Sequence, residues 1–183
     1  LSKAADFKGK RIATPQFGNT QDVAARAWLT AGGLKITQTG GDAQVVPTAN
    51  PDQLALFKEK QLDAVWTVEP WVSRLETEAG GKVLVNETEA ITTVLVARAK
   101  FLSEHRDLAK RFVAAHRELT EWIAAPTEEA PQLVREELHA ETRTEIAAGL
   151  VKHAWGRMKV TVDLSVKEFE TCIKDEQKAG FLR

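Results

Sequence analysis

The chain contains 183 residues, of which 43% are hydrophobic and 28% are charged, a composition typical of soluble globular proteins. Its 25 Lys and Arg residues are balanced by 26 Asp and Glu residues, and the net charge of −1 argues against a nucleic-acid-binding protein, which needs a basic surface. The sequence has no apolar run of about 18 residues that would span a membrane, and its first residues lack the apolar core of a signal peptide. It therefore indicates either a cytosolic protein or a processed or truncated form.

The first predicted unit is a strand over residues 11–14, a loop over 15–20 and a helix over 20–31, in which apolar residues recur every three or four positions. Asn19 or Thr20 is suited to cap the first turn, and Gly18 permits either a positive φ or the close approach of another molecule. The first turn of a helix offers unpaired N–H groups and a partial positive charge, which suit an anionic group. An ordinary strand-to-helix turn explains the same residues, and the charge of Asp22 would weaken the attraction for an anion.

Strands and helices continue to alternate up to residue 91. Strands are predicted near 44–47, over 64–68 and over 82–85, and helices over about 50–61 and 69–79. Short apolar strands separated by helices are typical of a parallel sheet with right-handed crossovers. The sequence therefore predicts an α/β fold for residues 1–91.

Residues 92–183 have a different pattern. A β-rich segment over 92–98 is followed by four predicted helices, over 107–125, 128–139, 144–158 and about 164–179. The first of these helices carries an apolar stripe that includes Leu108, Phe112 and Leu119. We therefore divide the chain into residues 1–91, an α/β domain with a parallel sheet, and residues 92–183, a mostly helical C-terminal half.

The sequence contains no recognisable catalytic constellation. Metalloprotease, paired-cysteine, phosphate-loop and serine-hydrolase motifs are absent from it, and its four His residues have spacings that suit no common metal site. The single Cys172 lies near the apolar stripe of the last predicted helix, which favours a buried, inert thiol over a nucleophile. We therefore expect no enzyme activity, no cofactor and no metal.

A second candidate position follows the predicted strand over 64–68. In an open parallel sheet, ligands collect at the carboxyl ends of the strands, and this strand and the strand over 11–14 both end there. If the two strands are neighbours, residues 17–21 and 69–71 face one crevice. Trp71 would then supply a flat apolar wall, and Glu69 a carboxylate for an ammonium or hydroxyl group. Alternatively, Trp71 covers the domain and Glu69 complements the N-terminus of the helix that follows.

Several segments of the chain resemble the substrate-binding proteins of ABC importers, in the branch that includes the nitrate, sulfonate and taurine systems. The resemblance lies in Asp6-Phe-Lys-Gly-Lys-Arg-Ile-Ala-Thr-Pro-Gln-Phe-Gly-Asn-Thr-Gln-Asp and in Leu62-Asp-Ala-Val-Trp-Thr-Val-Glu-Pro-Trp. It continues in Thr93-Val-Leu-Val-Ala-Arg and in Gln177-Lys-Ala-Gly-Phe-Leu, so it extends over essentially the whole chain. Each segment is weak evidence alone, and their combination is specific.

The resemblance implies a periplasmic-binding-protein type II fold, in which two lobes close around a small ligand. Residues 1–91 would be the second lobe, and residues 92–183 would return to the first. The implied ligand-binding residues are Phe17, Gly18, Asn19, Thr20, Gln21, Glu69, Trp71, Thr92 and Thr93, with the backbone amides of residues 18–21 holding an anionic head group. The implied function is capture of a small anionic organic solute for the membrane subunits of an ABC importer, in the periplasm or on a lipid anchor outside the cytoplasm.

Members of this family usually have a further segment before the position of Asp6, which supplies the first strands of the first lobe. We therefore expect an incomplete first lobe, and a chain that either dimerises through the faces of residues 92–98 and 107–125, with or without exchange of elements, or binds its ligand weakly. Two other functions stay open. One is an enzyme on the same fold, similar to pyrimidine-precursor synthases or desulfinases, which need a reactive His or Cys in the cleft. The other is the effector-sensing domain of a transcription regulator.

Overall fold

The structure is a computed structural model that describes residues 1–87, 90–143 and 145–182. In chain order the helices are α1 Thr20–Ala31, α2 Asn50–Lys58, α3 Trp71–Ala79, α4 Ala99–Glu104, α5 Arg106–Ala124, α6 Glu129–Thr142, α7 Ala148–Trp155 and α8 Val166–Lys178. The strands are β1 Arg11–Thr14, β2 Ile36–Thr37, β3 Gly40–Gly41, β4 Gln44–Pro47 and β5 Ala64–Val65, and a short 3₁₀ helix spans Ala4–Phe7. The chain divides into a sheet unit, Leu1–Thr92 with Val166–Arg183, and a helical unit, Thr93–Ser165.

The sheet unit is built around three parallel strands in the order β4-β1-β5. The central strand β1 pairs on both sides, so that Ile12 lies opposite Val45 on one neighbour and opposite Ala64 on the other. Ile12 is 3% exposed, as expected for a short apolar strand covered on both faces. The strands β2 and β3 form a separate antiparallel pair before β4. The predicted α/β fold with a parallel sheet is therefore confirmed.

Apolar side chains of α1, β1 and the 3₁₀ helix form the core of the sheet unit. The ring of Trp28 on α1 lies 5.6 Å from that of Phe7, nearly perpendicular to it, and 5.8 Å from that of Trp66. Such aromatic pairs contribute about 0.5–1.5 kcal/mol beyond the area that they bury. The buried members of the core are Phe7, Ile12, Leu29, Leu34 and Ala43.

Two predicted strands are not formed in the described part of the chain. Residues 82–85 and 92–98 have no strand pairing, and the strand predicted over 64–68 is reduced to Ala64–Val65. A strand exists only when a neighbour accepts and donates its backbone hydrogen bonds, and β-rich composition alone does not supply that neighbour. In the segment 92–98, Leu95 and Val96 are instead 51% and 80% exposed.

The last helix belongs to the sheet unit, although it follows the helical unit in the sequence. Helix α8 packs against α1, and Nε2 of Gln38 donates a hydrogen bond to the carbonyl of Gly180 at 3.0 Å. The first boundary between the two units falls after Thr92, whereas the sequence pattern places it after residue 91. Helix α8 was grouped with residues 92–183 by that pattern, and in the structure it belongs to the sheet unit. The assignment of each unit to a lobe of a binding protein stays a prediction.

In the helical unit, α4 packs against α5, and α6 packs against α7. Among the residues that the structure describes, the buried apolar side chains of this unit are mostly small: Ala109, Ala130, Val151 and Ala154. By contrast, Leu108, Phe112 and Leu119 on α5 are 49%, 57% and 52% exposed, and we call these three residues the α5 stripe. The stripe that the helical periodicity predicts is therefore not covered.

The boundaries of the helical unit differ from those predicted. The sequence does not predict α4, and the helix expected over 144–158 is observed as Ala148–Trp155, while Thr144 itself lies outside the described residues. Within residues 1–87, 90–143 and 145–182, no helix combines the length and the hydropathy that crossing a bilayer requires.

Candidate functional site

The candidate site lies where the parallel strands of the sheet unit end. Strand β1 ends at Thr14 and is followed by residues 15–19, which we call the α1 loop. Its neighbour β5 ends at Val65 and is followed by the segment that leads into α3. The two loops can share one crevice only if β1 and β5 are neighbours in the sheet. The parallel pairing of Ala13 with Val65 shows that they are.

The α1 loop ends in a well-defined helix cap. Gly18 has φ +72°, a left-handed conformation that glycine adopts without steric cost. Asn19 is the N-cap of α1, and its side-chain oxygen accepts a hydrogen bond from the N–H of Asp22 at 2.9 Å. Of the two predicted caps, the structure therefore selects Asn19 and leaves Thr20 as the first residue of the helix.

A buried ion pair lies directly beneath this loop. The side chains of Asp22 and Arg26 are 0% and 2% exposed, and Arg26 Nε and Nη2 donate to the two oxygens of Asp22 at 2.9 and 3.2 Å. Asp22 also accepts from the Thr14 hydroxyl at 2.8 Å and from the Gly18 N–H at 3.0 Å. The carboxylate thus ties the end of β1 and the α1 loop to the first turn of α1.

The ion pair was not predicted, although the sequence contains a signal for it. Asp22 and Arg26 are spaced i,i+4, so they lie on one face of the helix. Ala25 and Leu29 flank the pair on that face and are buried as well, and charges among apolar residues of a helix are buried only when they are paired. An oppositely charged pair inside an apolar stripe is therefore the pattern that would have revealed it.

The predicted role of the backbone amides is corrected by this geometry. The N–H groups of Gly18 and Asn19 are occupied by the protein itself, through Asp22 and through the carbonyl of Gln16 at 3.3 Å. The N–H groups of Thr20 and Gln21 have no acceptor within the part of the chain that the structure describes. The first two positions of α1 are thus the donors that remain open to an anion.

The C-terminal segment lies against the α1 loop, which the sequence does not predict. The ring of Phe181 stands 5.1 Å from the half-exposed ring of Phe17, in an edge-to-face arrangement. A Cβ atom added to Gly18 would lie 3.3 Å from the Phe181 ring, so this ring covers one side of the glycine. Phe17 also lies beneath the guanidinium of Arg26, with 5.6 Å from its carbon atom to the ring centre.

Trp71 is the first residue of α3, and Glu69 lies two residues before it in the segment that follows β5. The carboxylate of Glu69 accepts a hydrogen bond from the N–H of Ser73 at 3.0 Å, in the first turn of this helix. The ring of the half-buried Trp71 is covered by the guanidinium of Arg74, 5.0 Å from the ring centre. Both observations favour the structural alternative for these residues, in which Glu69 complements the helix N-terminus.

Thr92 and Thr93 were predicted to lie near the crossing between lobes. Both are exposed, neither belongs to a strand, and the division between the sheet unit and the helical unit falls between them. Their part in ligand binding stays a prediction.

A cavity of about 340 Å³ also lies in the sheet unit, beside the open edge of β5. Its walls include Phe7, Trp28 and Trp66, together with residues 63–67 and 81–85. The nine predicted site residues, all of them described by the structure, are not among its walls. We assign the candidate site to the strand ends, because the cavity is bounded by core side chains along the edge of β5 and lacks the open helix amides.

The single cysteine lies in the sheet unit, on α8. Burial raises the pKa of the Cys172 thiol, and the nearby carboxylates of Asp175, Glu176 and Glu87 raise it further. A thiol with a raised pKa is protonated at neutral pH and is therefore a poor nucleophile. No group of three His, Cys, Asp or Glu side chains in the described part of the chain is placed to hold a metal ion.

The NMT1-like family matches residues 1–136 of the sequence. The chain belongs to the NMT1-like family. Its structure is similar to the periplasmic aliphatic sulphonate binding protein SsuA from Escherichia coli, with a TM-score of 0.75 and 19% identity. It is also similar to the alkanesulfonate-binding protein SsuA from Xanthomonas axonopodis pv. citri bound to MOPS, with a TM-score of 0.70 and 17% identity.

These similarities cover this NMT1-like chain almost completely but the neighbours only in part. They include 99% and 97% of this chain, and 56% and 59% of the Escherichia coli and Xanthomonas chains. The chain therefore spans less than two thirds of the length of these structures. No curated protein sequence matches it. The predicted resemblance to substrate-binding proteins is confirmed at the level of the fold.

Proposed function

We propose that this chain captures a small anionic organic solute outside the cytoplasm and delivers it to an ABC importer. The observation that carries the proposal is the pair of open N–H groups at Thr20 and Gln21, at the carboxyl edge of a parallel sheet. Aliphatic sulfonates are the first candidate class, because the structural neighbours are named for binding them. Taurine and nitrate are the next, since they also present an anionic group with several oxygen acceptors.

The proposed mechanism is closure rather than chemistry. In it, the sheet unit acts as one lobe of a two-lobed binding protein, and the residues after Thr92 return to the other lobe. A solute held by the amides of α1 favours the closed state by the additional contacts that it makes there. The membrane subunits of the importer would then recognise the closed, loaded form.

An enzyme on the same fold is the second candidate, and the chemistry of Cys172 argues against it. Reactive cysteine enzymes need a thiolate, whereas burial and three carboxylates raise the pKa of this thiol. The four His residues lie in the helical unit, at positions 105, 116, 139 and 153. Turnover of a substrate by the wild type that is lost in Cys172→Ser would support this alternative instead.

The test of solute capture is a comparison of two substitutions at Gln21. The Gln21→Pro variant deletes one open N–H, and proline is tolerated in the first turn of a helix, so the fold should persist. The Gln21→Ala variant removes the side chain and keeps the N–H. We expect calorimetric titration with alkanesulfonates, taurine and nitrate to show weaker binding for Gln21→Pro, and binding close to wild type for Gln21→Ala. The proposal would be contradicted if the two variants bound with equal affinity, or if the wild type bound none of these solutes.

We also propose that a second copy of this chain covers the α5 stripe. Three large apolar side chains on one helix face, each about half exposed, form the kind of patch that marks an interaction surface. The same stripe on two copies is self-complementary about a two-fold axis, which is the commonest arrangement of soluble dimers. The charged residues Arg117 and Glu121 form an exposed ion pair on the opposite face of the same helix, so that face would stay in water when the stripe is covered.

A further inference from the structure

We propose that Arg26 determines the charge preference of the candidate site, by neutralising the carboxylate of Asp22 beneath the α1 loop. Without this neutralisation the loop would repel an anion. Arg26 is in this view a positioning and specificity-determining residue that acts through Asp22 and does not touch the solute. The inference rests on the proposed function, because it concerns the charge of the ligand at the same site.

The first step of the argument is that the carboxylate of Asp22 is fixed and unscreened. One of its oxygens accepts from the Thr14 hydroxyl, and the other from the N–H of Gly18, so it cannot rotate away from the loop. The residue is fully buried, and water therefore does not weaken its field. It also lies in the first turn of α1, two residues after the open N–H of Thr20.

The second step is that the guanidinium of Arg26 is committed to this carboxylate. Its Nε and Nη2 atoms contact both oxygens of Asp22, the bidentate geometry for which arginine is suited. Its remaining donors reach the carbonyl of Thr37 at 2.6 Å and that of Val45 at 3.4 Å. With the side chain 2% exposed and held at three places, Arg26 cannot turn toward a ligand.

The third step is the balance of charge at the loop. Together, Asp22 and Arg26 carry no net charge, so the field at the open amides of Thr20 and Gln21 is that of the helix N-terminus. If the charge of Arg26 is removed, a full negative charge stays beneath those amides. Two unit charges within about 10 Å, at the effective dielectric constant of a protein, change an affinity by roughly tenfold or more.

The experiment measures the dissociation constant of one alkanesulfonate for the wild type, Arg26→Gln, Asp22→Asn and the double variant Asp22→Asn/Arg26→Gln. Removing the positive charge should weaken binding by about tenfold or more, and removing the negative charge should strengthen it. The double variant restores neutrality and should recover most of the wild-type affinity. The control is Lys35→Gln, which removes a positive charge from an exposed position of the same unit and should leave the affinity unchanged.

The sign of the change separates this role from a structural one. A purely structural ion pair would make both single variants bind more weakly, and that result would overturn the proposal. Circular dichroism shows whether each variant folds. If Arg26→Gln does not fold, its affinity is replaced in the comparison by that of Arg26→Lys, which keeps the positive charge. In that case an affinity for Arg26→Lys near the wild-type value, with tighter binding by Asp22→Asn, supports the proposal, and weaker binding by both overturns it.

The failure of this inference is distinguishable from failure of the proposed function. If the wild type binds the sulfonate and the single variants change in the same direction, solute capture stands and the role of Arg26 is wrong. If the wild type shows no saturable binding of any anionic solute, the proposed function is wrong and the inference falls with it.

Discussion

The carboxylate of Asp22 and the guanidinium of Arg26 meet at 2.9 Å in the interior of the sheet unit. Their contact joins the end of β1, the α1 loop and the carbonyls of Thr37 and Val45 in one hydrogen-bonded network. A charge pair in this position is costly to desolvate, and it is tolerated because nearly every donor and acceptor is satisfied. The candidate site is therefore built on a buried, hydrogen-bonded polar network.

Loss of one partner of this pair should be strongly destabilising. We expect Arg26→Met to lower the free energy of unfolding by about 3–5 kcal/mol, because it leaves the Asp22 carboxylate buried and unpaired. The control is Arg117→Met, which breaks an exposed pair with Glu121 and should cost less than about 1 kcal/mol. Urea denaturation followed by circular dichroism measures the free energy of unfolding of both variants. Equal losses of stability would show that burial of the pair between Asp22 and Arg26 is not what stabilises the unit.

Glu69 should behave as a helix cap. We expect Glu69→Ala to lower the free energy of unfolding by about 1 kcal/mol, since it removes the acceptor for the Ser73 N–H, and to leave the affinity for sulfonates nearly unchanged. Thermal unfolding and calorimetric titration of the same variant give the two numbers. The opposite result, a loss of affinity with unchanged stability, would support the predicted ligand-binding role of Glu69.

Phe181 should protect the α1 loop. Replacing it with alanine removes the edge-to-face contact with Phe17 and uncovers Gly18, so we expect faster amide hydrogen exchange at Gly18 and Asn19, whose N–H groups are hydrogen-bonded. The lost aromatic contact should cost about 0.5–1.5 kcal/mol. The neighbouring Leu182→Ala, at a position that is already 42% exposed, is the control and should leave exchange in the loop as it is in the wild type.

Glu87 should make the protein less stable as the pH rises. Burial raises the pKa of this carboxyl above its ordinary value of 4.5, and the charge of Asp175 raises it further. The folded state therefore binds the proton more tightly than the unfolded state, and stability falls as the pH increases from 4.5 through the folded-state pKa. We expect Glu87→Gln to raise the melting temperature at pH 7 and to have little effect at pH 4. A melting temperature shifted equally at both pH values would contradict this.

The α5 stripe should decide the oligomeric state. We expect size-exclusion chromatography with light scattering to show a dimer for the wild type and a monomer for Phe112→Glu, because the new charge would be buried without a partner. Lys110→Glu changes the charge of the same helix at an exposed polar position and should remain dimeric. A monomeric wild type at micromolar concentration would rule out a second copy as the occupant of the stripe.

Local sequence patterns determined the first part of the fold. The apolar run over 11–14, the capping residue Asn19 and the three-to-four periodicity after it place β1 and α1 within one residue of their observed bounds. These features were predictable because a strand, a cap and an amphipathic helix each depend on residues a few positions apart. The alternation of strands and helices also determined that the sheet is parallel, because short crossovers leave few other topologies.

The tertiary structure, by contrast, sets which backbone N–H groups of the candidate site already have an acceptor within the protein. Asp22 and Arg26 turn out to neutralise each other, and the N–H of Gly18 is occupied whereas those of Thr20 and Gln21 stay open. Phe181, far along the chain, covers one side of the loop, and residues 82–85 and 92–98 find no neighbour with which to form strands. Each of these outcomes depends on contacts between residues that are distant in the sequence. The free energy of such a contact depends on which residue is the partner and on how deeply the contact is buried, and a local sequence pattern specifies neither.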